Sequence, residues 1–325
     1  MHGSLRTTVP AAAHGAPLVG WLVQRFTYFD AAAWRQEIAA GRLRRNGATA
    51  STDDRLGAGD VVDYAPPPPA PRPDLVLPIL FDDADLVAID KPAHLVAHRD
   101  GAFPANTFLH ELERRVQATA PLHLVHRLDR ETSGVLLLAR HPGAAVAMQR
   151  QFEAGTVTKA YLAFVRGVVA TDSFTVDAAV GPARDTTIAA RRAVLPAASP
   201  GARAARTDFE VLERFPSCTL VRASPHTGRT HQIRVHLEHA GHPLVGDALY
   251  GRSDAEYEEH VRRRKAGEPP HDRQRLHAQS LVARHPTSGA RLVLEAPMPR
   301  DFTSLPSAAA PARPSSPSAS SAAPA

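Results

Sequence analysis

Apolar and polar positions follow one another in recognisable rhythms along this chain, and the rhythms predict its elements. Val135–Ala139 is an uninterrupted apolar run, long enough for one buried strand and too short to span a membrane. Lys159–Gly167 alternates as a strand does, and Thr207–Glu213 and Ser217–Ala223 read the same way. Helical spacing marks Thr107–Val116, Ala144–Phe152 and a segment from about Thr230 to Gly241. Nearer the N-terminus, Leu18, Leu22, Phe26 and Phe29 recur at near-helical spacing, and Trp34, Ile38 and the Leu43 region continue a second helix. Asn46-Gly47 is a hairpin signal, and Leu56–Val62 follows as turn and strand.

The breaks in these rhythms predict an organisation. Residues 1–16 carry no pattern and are expected to be unordered. Residues 17–64 form a small domain. Residues 65–74 are a linker, because the run Ala65–Pro73 favours polyproline II and spans about 28 Å at roughly 3.1 Å per residue. Residues 75–302 form the main domain, in which strand and helix patterns alternate. Residues 303–325 are Ser, Ala and Pro with few core formers, a disordered tail. Within the main domain, Ala189–Arg206 reads as a mobile basic loop, and Asp254–Arg275 as a charged insertion of exposed helix and loop.

Composition narrows the partner. The 325 residues are 43% hydrophobic, enough for a sizeable core, and carry a formal net charge of +5. That balance suggests an anionic partner, of which nucleic acid is the commonest. Only Lys91, Lys159 and Lys265 are lysines, and the remaining basic residues are arginine. Arginine binds phosphate bidentately and stacks on bases. A GC-rich genome produces the same bias, so composition leaves both causes open. The single cysteine, Cys218, lies in a strand pattern and reads as a core residue rather than a nucleophile. It excludes an internal disulfide and fits a reducing cytoplasm. The N-terminus lacks the apolar core of a secretory signal, and no stretch is apolar enough for a membrane helix.

The candidate chemistry sits before the Val135–Ala139 run, in His126-Arg127-Leu128-Asp129-Arg130-Glu131-Thr132-Ser133-Gly134. Arginines flank one carboxylate, and a Thr-Ser-Gly turn feeds the strand, with glycine permitting positive φ. Nearby positive charge favours an ionised acid. HRLDRETSG resembles the signature of the RluA-type pseudouridine synthase family, His-Arg-Leu-Asp, two variable residues, Thr-Ser-Gly, with every fixed position present. A second stretch, HTGRTHQIRVH from His226, matches that family's third motif, and Lys159-Ala160-Tyr161 resembles its Lys-x-Tyr motif. The strand before Lys91-Pro92-Ala93 resembles its first motif, with His94 where glycine is usual. Arg275–Ala278 and Arg291–Pro297 resemble its closing strands. Residues 17–64 resemble the alpha-L RNA-binding domain that often precedes this catalytic core, most clearly at GRLRRNG and LGAGDVV.

The resemblance implies an α+β fold: a mixed, largely antiparallel sheet with flanking helices and a central active-site cleft, plus a small α+β N-terminal domain. It implies an isomerase that converts uridine in structured RNA to pseudouridine, with 23S ribosomal RNA expected and transfer RNA as the alternative. Asp129 is then the catalytic carboxylate, nucleophile or base. Tyr161 lies against the uracil, and Arg234 is the partner of Asp129. Arg127 fills the gap left by the extracted uridine. His126, Arg130, Thr132, Lys159, Arg229, His231 and Ile233 complete the RNA contacts, with Ile233 an apolar wall. Arg42, Arg44 and Arg45 supply a basic hairpin in the N-terminal domain. The reaction consumes nothing, so no cofactor or metal is expected, and a monomer is expected.

Three other readings are open to these residues. A catalytically silent RNA-binding protein on the same fold is disfavoured by the intact Asp129, Tyr161 and Arg234. A glycosidase using Asp129 and Glu131 requires convergent carboxylates about 5–5.5 Å apart. Residues two apart on a turn need not converge. A metal centre at His231, His236, His239 and His242 lacks a nearby cysteine and the i, i+4 histidine pair with an intervening glutamate.

Overall fold

The computed structural model describes residues 5–26, 29–67, 75–95, 107–265 and 273–302. The chain divides into two compact units, Met1–Val157 with Ser280–Ala296, and Thr158–Gln279 with Pro297–Ala325. The region expected as one domain over 75–302 is therefore parted between them, and residues 17–64 fall within the first. Of the Pro-rich linker, residues 68–74 lie outside the described residues, as does the tail from 303.

The first unit opens with β1 (Leu5–Thr8), followed by α1 (Leu18–Arg25), α2 (Ala31–Ala39), β2 (Leu43–Arg45), β3 (Ala48–Thr49) and β4 (Val61–Tyr64). The four strands form an antiparallel sheet in the order β1-β4-β2-β3. Residues 5–8 correct the expectation of an unordered start. Their short LRTT alternation is too brief to register as a pattern, but Leu5 pairs with Tyr64 and the strand completes the sheet. The predicted helical positions Leu18, Leu22, Trp34 and Ile38 are buried together with Leu43 and Val62. Trp34 meets Phe29 and Tyr64 edge to face. Asp30 caps α2 by accepting from the Ala33 amide at 2.8 Å. The Asn46-Gly47 turn has φ +51° and +84°, the geometry that signal predicts.

The same unit continues with β5 (Ile79–Asp82), β6 (Leu86–Lys91), α3 (Thr107–Arg115), β7 (His123–Leu124), β8 (Ser133–Ala139) and α4 (Pro142–Glu153). β8 is buried along its whole length, as an uninterrupted apolar run requires. It pairs antiparallel with β6 and β7, and β6 pairs with β5. Met148 on α4 packs under β8 with Leu86, Val135 and Leu137.

The second unit holds β9 (Thr158–Arg166), β10 (Ser173–Asp177), β11 (Val180–Pro182), β12 (Arg192–Val194), β13 (Arg206–Arg214), β14 (Cys218–Pro225), α5 (Gln232–His239) and α6 (Asp254–Lys265). Strands β10, β13, β14 and β9 are hydrogen-bonded antiparallel in that order. Cys218 is a buried core residue on β14. The segment 189–206, expected to be a loop, contains β12 paired with β11. It is tied down by the Arg191 guanidinium, which donates to the Leu249 carbonyl at 2.6 Å. The charged insertion forms α6, begun by a Ser253–Glu256 capping box. Two last strands, β15 (Leu276–Arg284) and β16 (Arg291–Glu295), pair antiparallel over Ser280–Arg284. There Leu281, Leu292 and Leu294 join the core of the first unit.

Candidate active-site residues

In the first unit, the segment between β7 and β8 carries Asp129. The Thr132 amide donates to the Asp129 carbonyl at 3.1 Å and closes the turn. Gly134 takes φ +107°, which the entry into β8 requires and side chains rarely adopt. Asp129 is half-buried, and Arg127 beside it is exposed. Thr132 and Ser133 are buried. His126 faces inward: its Nε2 accepts from the Leu137 amide at 2.9 Å, and its ring stacks on Phe152 of α4. It anchors the loop to the core strand, which differs from the RNA contact expected of it.

Lys91 lies beneath this loop and is completely buried. Its ammonium donates to three carbonyls, those of Pro92 at 2.9 Å, Leu95 at 3.1 Å and Arg130 at 3.2 Å. All three of its donors are thus satisfied. The Arg130 guanidinium, a predicted RNA contact, donates back to the His94 carbonyl at 3.3 Å. His94 has φ +68°, so the histidine in place of the motif's glycine adopts a glycine-like backbone. In the sequence Lys91 follows Asp90 at the end of an otherwise apolar strand, and a charge buried there must find partners.

In the second unit, α5 and the turn before it carry most of the remaining candidates. Gln232 is buried and ties that turn to β13. Its Oε1 accepts from the Thr227 hydroxyl at 2.6 Å and the Arg229 amide at 3.0 Å. Its Nε2 donates to the Arg206 carbonyl and the Thr207 hydroxyl, both at 3.0 Å. Lys159 on β9 donates to the Thr227 carbonyl at 3.4 Å, and burial pushes its pKa down. Burial also lowers Arg229, with the Arg203 charge adding to the effect. Tyr161, half-buried on β9, packs against the cluster that contains Ile233. The residues expected to support and to wall the base therefore share one apolar patch.

Arg234 is buried and makes a bidentate pair with Asp247, Nε to Oδ2 at 2.8 Å and Nη2 to Oδ1 at 2.9 Å. Asp247 Oδ1 also accepts from the amides of Leu249 at 2.8 Å and Tyr250 at 3.0 Å. Burial pushes this carboxyl up, but the guanidinium and the two amides outweigh it, and its pKa lies below the ordinary value. Asp247 has no signal in the sequence: Glu238 lies one helical turn from Arg234 on α5, but it accepts from the Gly251 amide instead.

The four histidines near α5 are engaged separately. His231 meets the Tyr250 hydroxyl, and His236 meets the Thr207 hydroxyl and the Ala178 carbonyl. His242 meets the Arg166 carbonyl, and His239 is exposed. Burial lowers the pKa of His236. Among the described residues, no three His, Cys, Asp or Glu side chains are grouped to hold a metal ion.

In the N-terminal hairpin, Arg42 is bidentate to Glu37, at 2.6 and 2.8 Å. Arg45 donates to Asp60 at 2.7 Å, and Arg44 is exposed. Two of the three arginines expected to meet RNA are therefore neutralised within the domain.

Comparison with known proteins agrees with these motifs. The family model described as RNA pseudouridylate synthase matches residues 85–239. A protein of Nitrosomonas europaea named ribosomal large subunit pseudouridine synthase D is 36% identical over 89% of this chain and 78% of its own length. The protein of that name from Xanthomonas campestris pv. campestris is 34% identical over 95% of this chain and 93% of its own. The solved structure of human RNA pseudouridylate synthase domain containing 1 is 29% identical, with a TM-score of 0.54 over 69% of this chain and 84% of that one. With its signature loop intact and 36% identity to a relative over 89% of its length, the chain belongs to the RNA pseudouridylate synthase family, isomerases that act on RNA.

Proposed function

We propose that this protein converts specific uridines of large-subunit (23S) ribosomal RNA to pseudouridine. The observation that carries the substrate is the naming of two relatives similar over 89% and 95% of the chain, each named ribosomal large subunit pseudouridine synthase D. The reaction cleaves the bond between uracil nitrogen and the sugar, turns the base, and joins its carbon five to the sugar. Asp129 acts at the sugar, either as nucleophile or as base. The Lys91 contact to the Arg130 carbonyl supports this role, because it holds the backbone next to that carboxylate. Arg234 serves as the partner of Asp129, and its bidentate pair with Asp247 pre-sets the guanidinium plane.

Extracting the uridine costs roughly a few kcal/mol. Arg127, exposed on the loop, fills the gap it leaves, and Tyr161 with Ile233 forms the apolar surface for the base. Lys159, Arg229, His231 and Arg130 complete the RNA surface, whereas Thr132, expected there, is buried in the turn. The N-terminal domain adds a second contact through Arg44. The protein works as a monomer in the cytoplasm without cofactor or metal. Among the described residues no helix is long and apolar enough to cross a membrane. Mapping pseudouridine in large-subunit ribosomal RNA and in transfer RNA, from cells with and without the gene, tests the substrate. Loss confined to transfer RNA would overturn it.

A further inference from the structure

Tyr250 is completely buried, and it touches two candidate site residues at once. Its ring lies 4.8 Å beneath the Arg234 guanidinium. Its backbone amide donates to Asp247, the carboxylate that takes Nε and Nη2 of Arg234. Its hydroxyl lies 2.8 Å from Nδ1 of His231, with the two rings edge to face. That hydroxyl also accepts from the Arg192 amide at 3.1 Å.

The Arg192 amide can only donate, so it occupies one of the two lone pairs of the Tyr250 oxygen. With the hydroxyl proton directed at His231 Nδ1, the neutral imidazole carries its own proton on Nε2. His231 is also held at φ +58° in front of α5, and its side chain does not cap the helix. A non-glycine residue in this region is strained, and such strain clusters at functional sites. The tautomer and the backbone together aim one donor, Nε2–H, at a fixed direction.

We propose that Tyr250 is a positioning residue of the isomerisation, whose hydroxyl holds His231 in the Nε2–H form so that it donates to an oxygen of the bound nucleotide. The proposal rests on the pseudouridine-forming reading above and adds to it a residue that does not itself touch RNA.

Tyr250→Phe keeps the ring under Arg234 and removes only the hydroxyl. Its midpoint of thermal unfolding should stay within about 3 °C of the parent, given one lost hydrogen bond. Single-turnover conversion of transcribed 23S ribosomal RNA should fall about tenfold at saturating protein, with affinity changed less than about twofold, the split expected when only an oriented contact is lost. The decisive comparison uses His231→Gln, whose side-chain amide supplies a donor without needing a tautomer. In that background, adding Tyr250→Phe should cost nothing further. A purely structural role for the hydroxyl would cost the same in both backgrounds, and that result would overturn the proposal.

Nitrogen NMR of the RNA-free protein, with the His231 signal identified by its loss in His231→Gln, reads the tautomer without any activity. The parent should show the Nε2–H form at pH 8, and Tyr250→Phe should show a mixture. An Nδ1–H form in the parent sinks the proposal whatever the kinetics. Absence of pseudouridine with the parent protein, while the tautomer result stands, would instead count against the substrate reading.

Discussion

Replacing Lys91 by methionine tests whether the Asp129 loop is held from below. The substitution keeps most of the side-chain volume and removes three hydrogen bonds to carbonyls, at 2.9, 3.1 and 3.2 Å, from a completely buried ammonium. Hydrogen bonds from a charged donor contribute about 1.5–3 kcal/mol each, so the gross loss is on the order of 4–9 kcal/mol. Against this stands the cost of burying the ammonium, which is several kcal/mol and disappears with the charge. Part of the remainder returns when the freed carbonyls reach water through a loosened loop. The net loss expected is about 3 kcal/mol, which lowers the unfolding midpoint by roughly 6–12 °C for a unit of this size. The activity effect is separate. The Arg130 carbonyl adjoins Asp129, and a displacement near 1 Å at a reacting group costs about a hundredfold in rate. Calorimetry and single-turnover conversion below the lowered midpoint measure the two effects. A methionine variant within about 2 °C and threefold of the parent would refute the reasoning, because the ammonium would then be dispensable both to the fold and to the loop.

Asp129→Asn should abolish conversion to below about one thousandth of the parent rate while RNA affinity stays within a few fold, as measured by pseudouridine formed in the RNA and by filter binding. This is the loss expected when a reacting group is removed and binding is kept. Arg44→Ala should flatten the slope of log affinity against log salt by about 0.7–0.9, whereas Arg42→Ala should leave the slope unchanged and lower stability through its broken pair with Glu37. A larger slope change for Arg42 would reverse that assignment. Asp247 has a folded pKa below its unfolded value, so its contribution to stability is present above the unfolded value of about 3.9 and is lost as pH falls through the folded one. Acid unfolding should therefore be less steep below about pH 4 in Asp247→Asn, measured by denaturant titration, although that variant is less stable at neutral pH. His94→Gly should leave stability unchanged or raise it by up to about 1 kcal/mol, because glycine adopts φ +68° without strain while its unfolded chain is more flexible. A loss above 1 kcal/mol would show that the His94 side chain is needed.

Much of this protein was determined by local sequence alone. The Val135–Ala139 run could only be a buried strand, and β8 is buried from end to end. The alternation at Lys159 and the helical spacing after Thr230 became β9 and α5, and the Asn46-Gly47 turn was read from its two residues. These signals are short-ranged, since period and turn chemistry are set by neighbours a few positions apart. The HRLDRETSG signature likewise identified the family without a structure. What tertiary structure decided was which partner each charge takes. Arg234 has Glu238 one helical turn away, but its guanidinium meets Asp247, thirteen residues downstream, because the chain beyond α5 folds back and presents that carboxylate with two amides behind it. The arginines of the N-terminal hairpin looked alike in sequence, yet Glu37 and Asp60 neutralise two and leave the third exposed. Lys91 came to lie under the Asp129 loop only when β6 and β8 paired and set the Arg130 carbonyl above it. Charge pairing in a folded chain depends on distances across loops, which hydrophobic rhythm does not encode.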